Sequence, residues 1–207
     1  MRVIKAHAKI EFAPPTDELL AHLERCGRTC YKSEDRITKD SAERFIKGIV
    51  RSGHESVLEH VSVTVRFVVD RGVSHELVRH RIASFSQEST RYCNYGKTGE
   101  ITFIEPIDLC KNVKAYNEWM DSCLQAEEAY LNMLKEGCPP EIARAVLPNS
   151  VKTEVVMTAN LREWRHFFKL RALGTNGKPH PQMLEVTIPL LEEFKKRIPA
   201  VFDDLCV

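Results

Sequence analysis

The chain has 207 residues, 43% of them hydrophobic and 29% charged, enough to bury a core and about the length of one domain at roughly 100–200 residues each. Thirty Lys and Arg against 29 Asp and Glu leave a formal net charge of +1, which argues against a protein that coats nucleic acid through a basic excess. No apolar run approaches the roughly 18 residues that cross a bilayer, and Met1-Arg2-Val3-Ile4-Lys5 does not open a signal peptide. One cytoplasmic domain over residues 1–207, without nucleic-acid or membrane partners, is expected. Seven cysteines (Cys26, Cys30, Cys93, Cys110, Cys123, Cys138, Cys206) cannot all pair. Only Cys26 and Cys30 lie close together, and no second close pair completes a zinc knuckle, so neither a disulfide framework nor a metal is expected.

In chain order, Val3 to Phe12 has strand character, and Pro14-Pro15-Thr16 opens a short helix carrying Leu19, Leu20 and Leu23. A second helix starts at Asp40 with Glu43 as a capping-box partner. Its apolar positions are Ala42, Phe45, Ile46, Ile49 and Val50, and Gly53 ends it. From Val61 to Val69 the pattern has period two, as in a strand with one buried face. A helix over about Val73 to Arg81 follows, then a polar segment and a strand over Ile101 to Ile104. Asn112 to Glu136 forms the longest helix, its stripe running Val113, Tyr116, Met120, Cys123, Tyr130, Leu134, with Gly137 as its stop. Pro139-Pro140 starts a brief helix to Val146, and Val151 to Met157 is a further strand. Asn160 caps a helix with Glu163 at its third position, running to about Ala172, and the helical tail from Pro181 is divided at Pro189. The order indicates an α+β fold, a mixed or antiparallel sheet flanked by helices, because several connections are too short for parallel crossovers.

Chemistry concentrates in Arg79 to Tyr92, RHRIASFSQESTRY. Arginine forks match phosphate and carboxylate oxygens, and Ser and Thr hydroxyls complete such a cradle. A solvated basic helix end is the plainer alternative, but a merely solvated loop gains nothing from so many donors. Glu76, Arg79 and His80, at i, i+3 and i+4, are expected on one helical face. On the helix after Asn160, Leu161, Trp164, Phe168 and Ala172 define an apolar face, and Arg171 falls within it. A core-side arginine is either paired with an acid or faces a polar cavity. Arg144, three residues after Glu141, is a weaker cue that also suits a surface pair. His54 with Glu55, Ser56, Glu59 and His60 suits a metal site, an acid–base site or a hydrogen-bonded junction.

The RHR segment resembles the signature RHRxxSxxxxSxRY of the flavin-dependent thymidylate synthases. Arg79, His80, Arg81, Ser84, Ser89, Arg91 and Tyr92 all match. Gly53 to Ser56 (GHES), the HELVRHR lead-in, Ala143 to Pro148 (ARAVLP) and Asn160 to Arg171 (NLREWRHFFKLR) match in the same order, over roughly residues 28 to 185. The resemblance implies a homotetramer with active sites between subunits. It implies methylation of dUMP to dTMP with FAD, NADPH and 5,10-methylenetetrahydrofolate. Carried over by position, Ser56, Arg79, His80, Arg81, Gln87, Asn160, Leu161, Arg162 and His166 contact FAD. Glu76, Leu77, Val78, Arg79, Gln87, Glu88, Ser89, Thr90, Arg91, Arg144 and Arg171 contact dUMP, and His54 lies near the flavin and folate. No GxGxxG turn is present, so no Rossmann domain is expected.

Within that reading, Arg91, Arg144 and the Ser89 hydroxyl take the dUMP phosphate. Uracil C5 gains electron density either from a nucleophile at C6 or from polarisation of the ring. Ser89 has no evident base partner, so Arg171 is the expected catalytic residue, stabilising negative charge at N3. Glu88 stands where relatives more usually carry an apolar residue, and its charge suits the phosphate site only if it turns outward. The stretch Gly174 to Pro181 is longer than in many relatives. Two readings from other classes compete. A non-catalytic nucleotide or nucleic-acid binding module lacks an aromatic-interleaved basic stripe. A metal-dependent hydrolase built on His54 and His60 lacks repeated ligand spacing.

Overall fold

Val3 and Ile4, adjacent and both half-buried, break the alternation of the first apolar run, and the chain answers by forming two strands instead of one. In the computed structural model, which describes residues 1–97 and 99–206, these are Arg2–Ile4 (β1) and His7–Phe12 (β2), in different sheets. β1 pairs in parallel with Thr102–Ile104 (β5), Val3 opposite Phe103. β2 is one edge of a four-stranded antiparallel sheet, followed by Ser62–Asp70 (β3), Lys152–Asn160 (β6) and Ala83–Gln87 (β4). The expected α+β class and long helix are present.

The chain divides into two compact units. The first comprises Met1–His7, Phe67–Arg79 and Ser86–Val156. Its core gathers Ile101, Phe103, Cys123, Tyr130, Ala143 and Val151, packed by the long helix Val113–Lys135. Asn112 caps that helix, accepting from the Ala115 N–H at 3.2 Å. Val113, expected on the apolar stripe, lies in the first turn and is exposed. The buried positions are Cys123, Glu127 and Tyr130, and Glu127 is satisfied by the Ile101 N–H at 2.6 Å. The short helix Arg71–Leu77 is capped by Asp70, whose Oδ1 accepts from the Val73 N–H at 2.6 Å. It ends at Leu77, so Arg79 and His80 lie beyond it and do not share a helical face with Glu76. Pro140–Ala143 forms a helical turn continued by a 3-10 turn over Arg144–Val146.

The second unit comprises Ala8–Arg66, His80–Phe85 and Met157–Val207. Its helices are Thr16–Thr29, Ala42–Arg51, Leu161–Arg171, Pro181–Arg197 and Pro199–Phe202, with a 3-10 turn over Glu55–His60. The first is longer than expected and buries Leu19, Leu20 and Leu23. The second starts after Ser41, not at Asp40. The Ser41 hydroxyl donates to Glu24 at 2.8 Å and accepts from the Thr38 N–H, while Glu43 pairs with Lys47, so no capping box forms. Gly53 takes a left-handed conformation (φ 73°) at the stop. Pro189 does not divide the tail helix. Burial of Met183, Val186, Leu190, Leu191 and Phe194 along that helix outweighs the roughly 3 kcal/mol an internal proline costs. The core is aromatic: Trp164, Phe167, Phe168, Phe194 and Phe202 are fully buried with ring centres 5.1–6.0 Å apart.

Candidate functional site

In the second unit the residues converge on one histidine. The helix Leu161–Arg171 begins at Asn160, whose Oδ1 accepts from the Glu163 N–H at 2.9 Å, as the Asn-x-x-Glu pattern requires. That cap leaves Glu163 in the first turn and Arg171 in the last. His80 reaches both: Nδ1 lies 3.0 Å from Glu163 Oε1, and Nε2 accepts from Arg171 Nε at 3.1 Å. The ring is buried, with Phe167 edge-on at 4.9 Å and His166 at 5.9 Å. Burial first, then the Arg171 and His166 charges, lower His80 to about 4 from 6.5. It is therefore neutral at pH 7. Because Nε2 takes a hydrogen from Arg171, the ring proton sits on Nδ1, and the contact with Glu163 is a hydrogen bond rather than an ion pair. Burial pushes the Glu163 carboxyl up, and His166 offsets part of that.

His80, Glu163 and His166 bring three ligand-type atoms within 4.8 Å of one another. Ligation through Nδ1 would place the ring proton on Nε2, opposite the Arg171 Nε–H. The donor pattern is thus that of a hydrogen-bond relay. His54 and His60 do not join a metal-type cluster among the described residues. Glu55 instead holds the buried Arg165 at 2.9 Å, and Glu59 holds Arg162. Ser56 and His54 are exposed, whereas Leu161 is fully buried and its N–H donates to the Val61 carbonyl at 3.0 Å. Arg79 and Arg81 are exposed and have no acid partner among the described residues.

The segment expected to be merely polar is partly the strand β4, in which Ser84 and Ser86 are exposed; the contacts that follow lie in the first unit. Gln87 donates to the Ser74 hydroxyl at 3.0 Å and to the Thr153 hydroxyl at 3.3 Å. Arg144 donates to the buried Thr90 hydroxyl at 2.9 Å and to the Glu141 carbonyl at 3.2 Å, not to that residue's carboxylate. Arg71, His75, Thr90, Arg144 and Asn149 line a small cleft. Arg91 lies 5.4 Å from the centre of the exposed Tyr92 ring, and its N–H donates to the Ser89 hydroxyl at 3.3 Å. Of Glu76, Leu77 and Val78, Leu77 is fully buried and Val78 exposed.

Glu88 does not turn outward. Its carboxylate accepts from Tyr95 and from Lys152, both at 2.9 Å. Burial works against the Lys152 charge, but Glu154 and Glu88 together hold its ammonium above the usual range. The Glu88 charge is thereby compensated. Sequence reasoning missed Glu163 as chemistry, because its capping position explains it fully. It also missed Ser74, Lys152 and Thr153, whose site partners are 13 to 66 residues away.

A neutral buried His80 makes stability depend on pH. The unfolded chain binds that proton near pH 6.5, whereas the folded chain binds it only near about 4. Stability present above pH 6.5 is therefore lost as pH falls toward about 4, at up to about 1.4 kcal/mol per pH unit. Urea unfolding at pH 7, 6 and 5 should show this slope, and His80→Gln should flatten it. Identical slopes in the two proteins would contradict the assignment.

Comparison with known proteins gives the family. The family model for thymidylate synthase complementing protein matches residues 15–200. The chain belongs to that family, the flavin-dependent thymidylate synthases, and is thus an enzyme of the methyltransferase class. It is 36% identical over 173 residues to the flavin-dependent thymidylate synthase of Pyrococcus furiosus, covering 83% of this chain and 70% of that one. It is 33% identical over 204 residues to the enzyme of the same name from Geobacter sulfurreducens, covering 95% and 86%. Its fold matches that of the UMP/dUMP methylase PolB from Streptomyces cacaoi bound with 5-Br dUMP, with a TM-score of 0.83 at 23% identity over 98% and 96% of the two chains.

Proposed function

We propose that the protein converts dUMP to dTMP by reductive methylation, with FAD as cofactor and NADPH and 5,10-methylenetetrahydrofolate as co-substrates. The observation that carries the reading is a set of guanidinium groups without carboxylate partners among the described residues: Arg79, Arg91 and Arg144 in the first unit and Arg81 in the second. Unneutralised arginines of this kind suit phosphate esters, which both the nucleotide and the dinucleotide carry.

The donors fit FAD by their chemistry. Arg79 and Arg81 offer exposed forks to a pyrophosphate, and Ser56, Arg162, His166 and the Asn160 amide offer further polar contacts. Bound FAD supplies hydride equivalents from NADPH, and the folate supplies the one-carbon unit. The dUMP phosphate is held by Arg91, Arg144 and the Ser89 hydroxyl, with Thr90 fixing the Arg144 fork. Gln87, tied to Ser74 and Thr153, gives that segment a rigid base. Arg171 stabilises the anion that forms when uracil N3 loses its proton, which raises electron density at C5. Ser89 is no nucleophile in this scheme. Among the described residues its hydroxyl meets a backbone N–H and no base. We further infer a single functional domain acting in the cytoplasm as a homotetramer, with active sites between subunits.

Two measurements test the proposal. The purified chain mixed with FAD should retain a yellow chromophore absorbing near ~450 nm. It should also release tritium from C5-labelled dUMP only when FAD, NADPH and the folate are all present. A colourless protein that takes up no FAD would overturn the reading.

A further inference from the structure

We propose that Glu163 is a positioning residue for Arg171, acting through His80; this rests on the reading of Arg171 in the proposed reaction. Glu163 and Arg171 lie eight residues apart on one helix, about 12 Å along its axis. His80, from outside that helix, spans the gap, with one ring nitrogen on each partner.

The direction of the hydrogens makes the relay specific. Arg171 Nε has only a hydrogen to give, so His80 Nε2 must present a lone pair, and the ring's single proton must be on Nδ1. A buried Nδ1–H needs an acceptor, and Glu163 Oε1 at 3.0 Å is one. Take that acceptor away and the ring is free to adopt the opposite tautomer, which turns Nε2–H against the Arg171 Nε–H. Phe167 at 4.9 Å and His166 at 5.9 Å flank the ring and limit its escape. The guanidinium would then lose the acceptor that aligns its Nε–H, although no group touching the substrate had changed. Glu163 itself is fixed from behind, since its N–H is held by Asn160 and its position follows from the helix start.

The variants are Glu163→Gln, which keeps an oxygen acceptor, and Glu163→Leu, which does not. Histidine 15N NMR of the full chain at pH 7.5 should show wild-type His80 as the Nδ1–H tautomer. Glu163→Gln should keep it and Glu163→Leu should mix or reverse it. In C5 tritium release with the complete reaction mixture, Glu163→Leu should lower kcat about thirtyfold, as a misaligned catalytic group does, while KM for dUMP stays within about threefold. Glu163→Gln should recover to within about threefold of wild type. A wild-type ring carrying its proton on Nε2 overturns the proposal even if Glu163→Leu fails to fold. A reversed tautomer with undiminished kcat also overturns it. Should Arg171→Ala instead keep full turnover, the reading of Arg171 itself falls, whatever Glu163 does.

Discussion

Arg171→Ala is expected to lose about a hundredfold to a thousandfold in turnover, whereas Ser89→Ala keeps measurable turnover. The expected loss is that of removing one preorganised donor from developing charge. The position supports it, because Arg171 is half-buried and its Nε–H is fixed by a neutral ring. In the proposed reaction a guanidinium held this way would meet the substrate without reorganising first. Its carbonyl is also fixed, accepting from the Thr187 hydroxyl at 2.8 Å, which ties the end of this helix to the next. Ser89→Ala removes a hydroxyl whose contact is the Arg91 N–H. The loss should resemble one phosphate hydrogen bond, about tenfold in dUMP binding. Steady-state rates at saturating dUMP, with melting curves to confirm folding, separate the two effects. The reverse ranking would favour a covalent serine.

Trp164→Ala is expected to cost about 3–5 kcal/mol of stability, the range for truncating a buried aromatic. The indole is fully buried against Phe167, Phe168 and Phe194, at ring-centre distances of 5.2–6.0 Å. Its Nε1–H donates to the Val63 carbonyl at 3.0 Å, so truncation opens a cavity and orphans an acceptor. The same helix carries Glu163, His166 and Arg171, and flavin retention should weaken together with the urea midpoint. A loss below about 1 kcal/mol would show that the aromatic cluster collapses to fill the space.

What the sequence reveals here depends on whether a signal is local. The helix from Asn160 is legible because its cap and its apolar face lie within one 12-residue stretch, and β3 is legible from Val61, Val63 and Val65 alone. The resemblance likewise rests on contiguous motifs. By contrast, β4 is an edge strand with serines on its outer face, so nothing in its composition announces a sheet. The end of the helix at Leu77, rather than near Arg81, is invisible to periodicity, because Val78, Arg79 and His80 all tolerate a helix. Pro189 misleads because burial elsewhere on its helix overrides a local penalty. At the site, Arg171 stands out as an arginine on an apolar face. Its contact with His80 spans 91 residues, and the one from Glu88 to Lys152 spans 64, so only the folded chain displays them.

In the proposed reaction a guanidinium draws negative charge onto the pyrimidine without a covalent bond to the enzyme. Nitrogen NMR of dUMP labelled at N3 and bound to the FAD-loaded protein tests it most directly. Bound N3 should lose its proton at a lower pH than in free dUMP, and Arg171→Ala should restore the free value. An N3 that titrates as in free dUMP on the wild-type enzyme would contradict it.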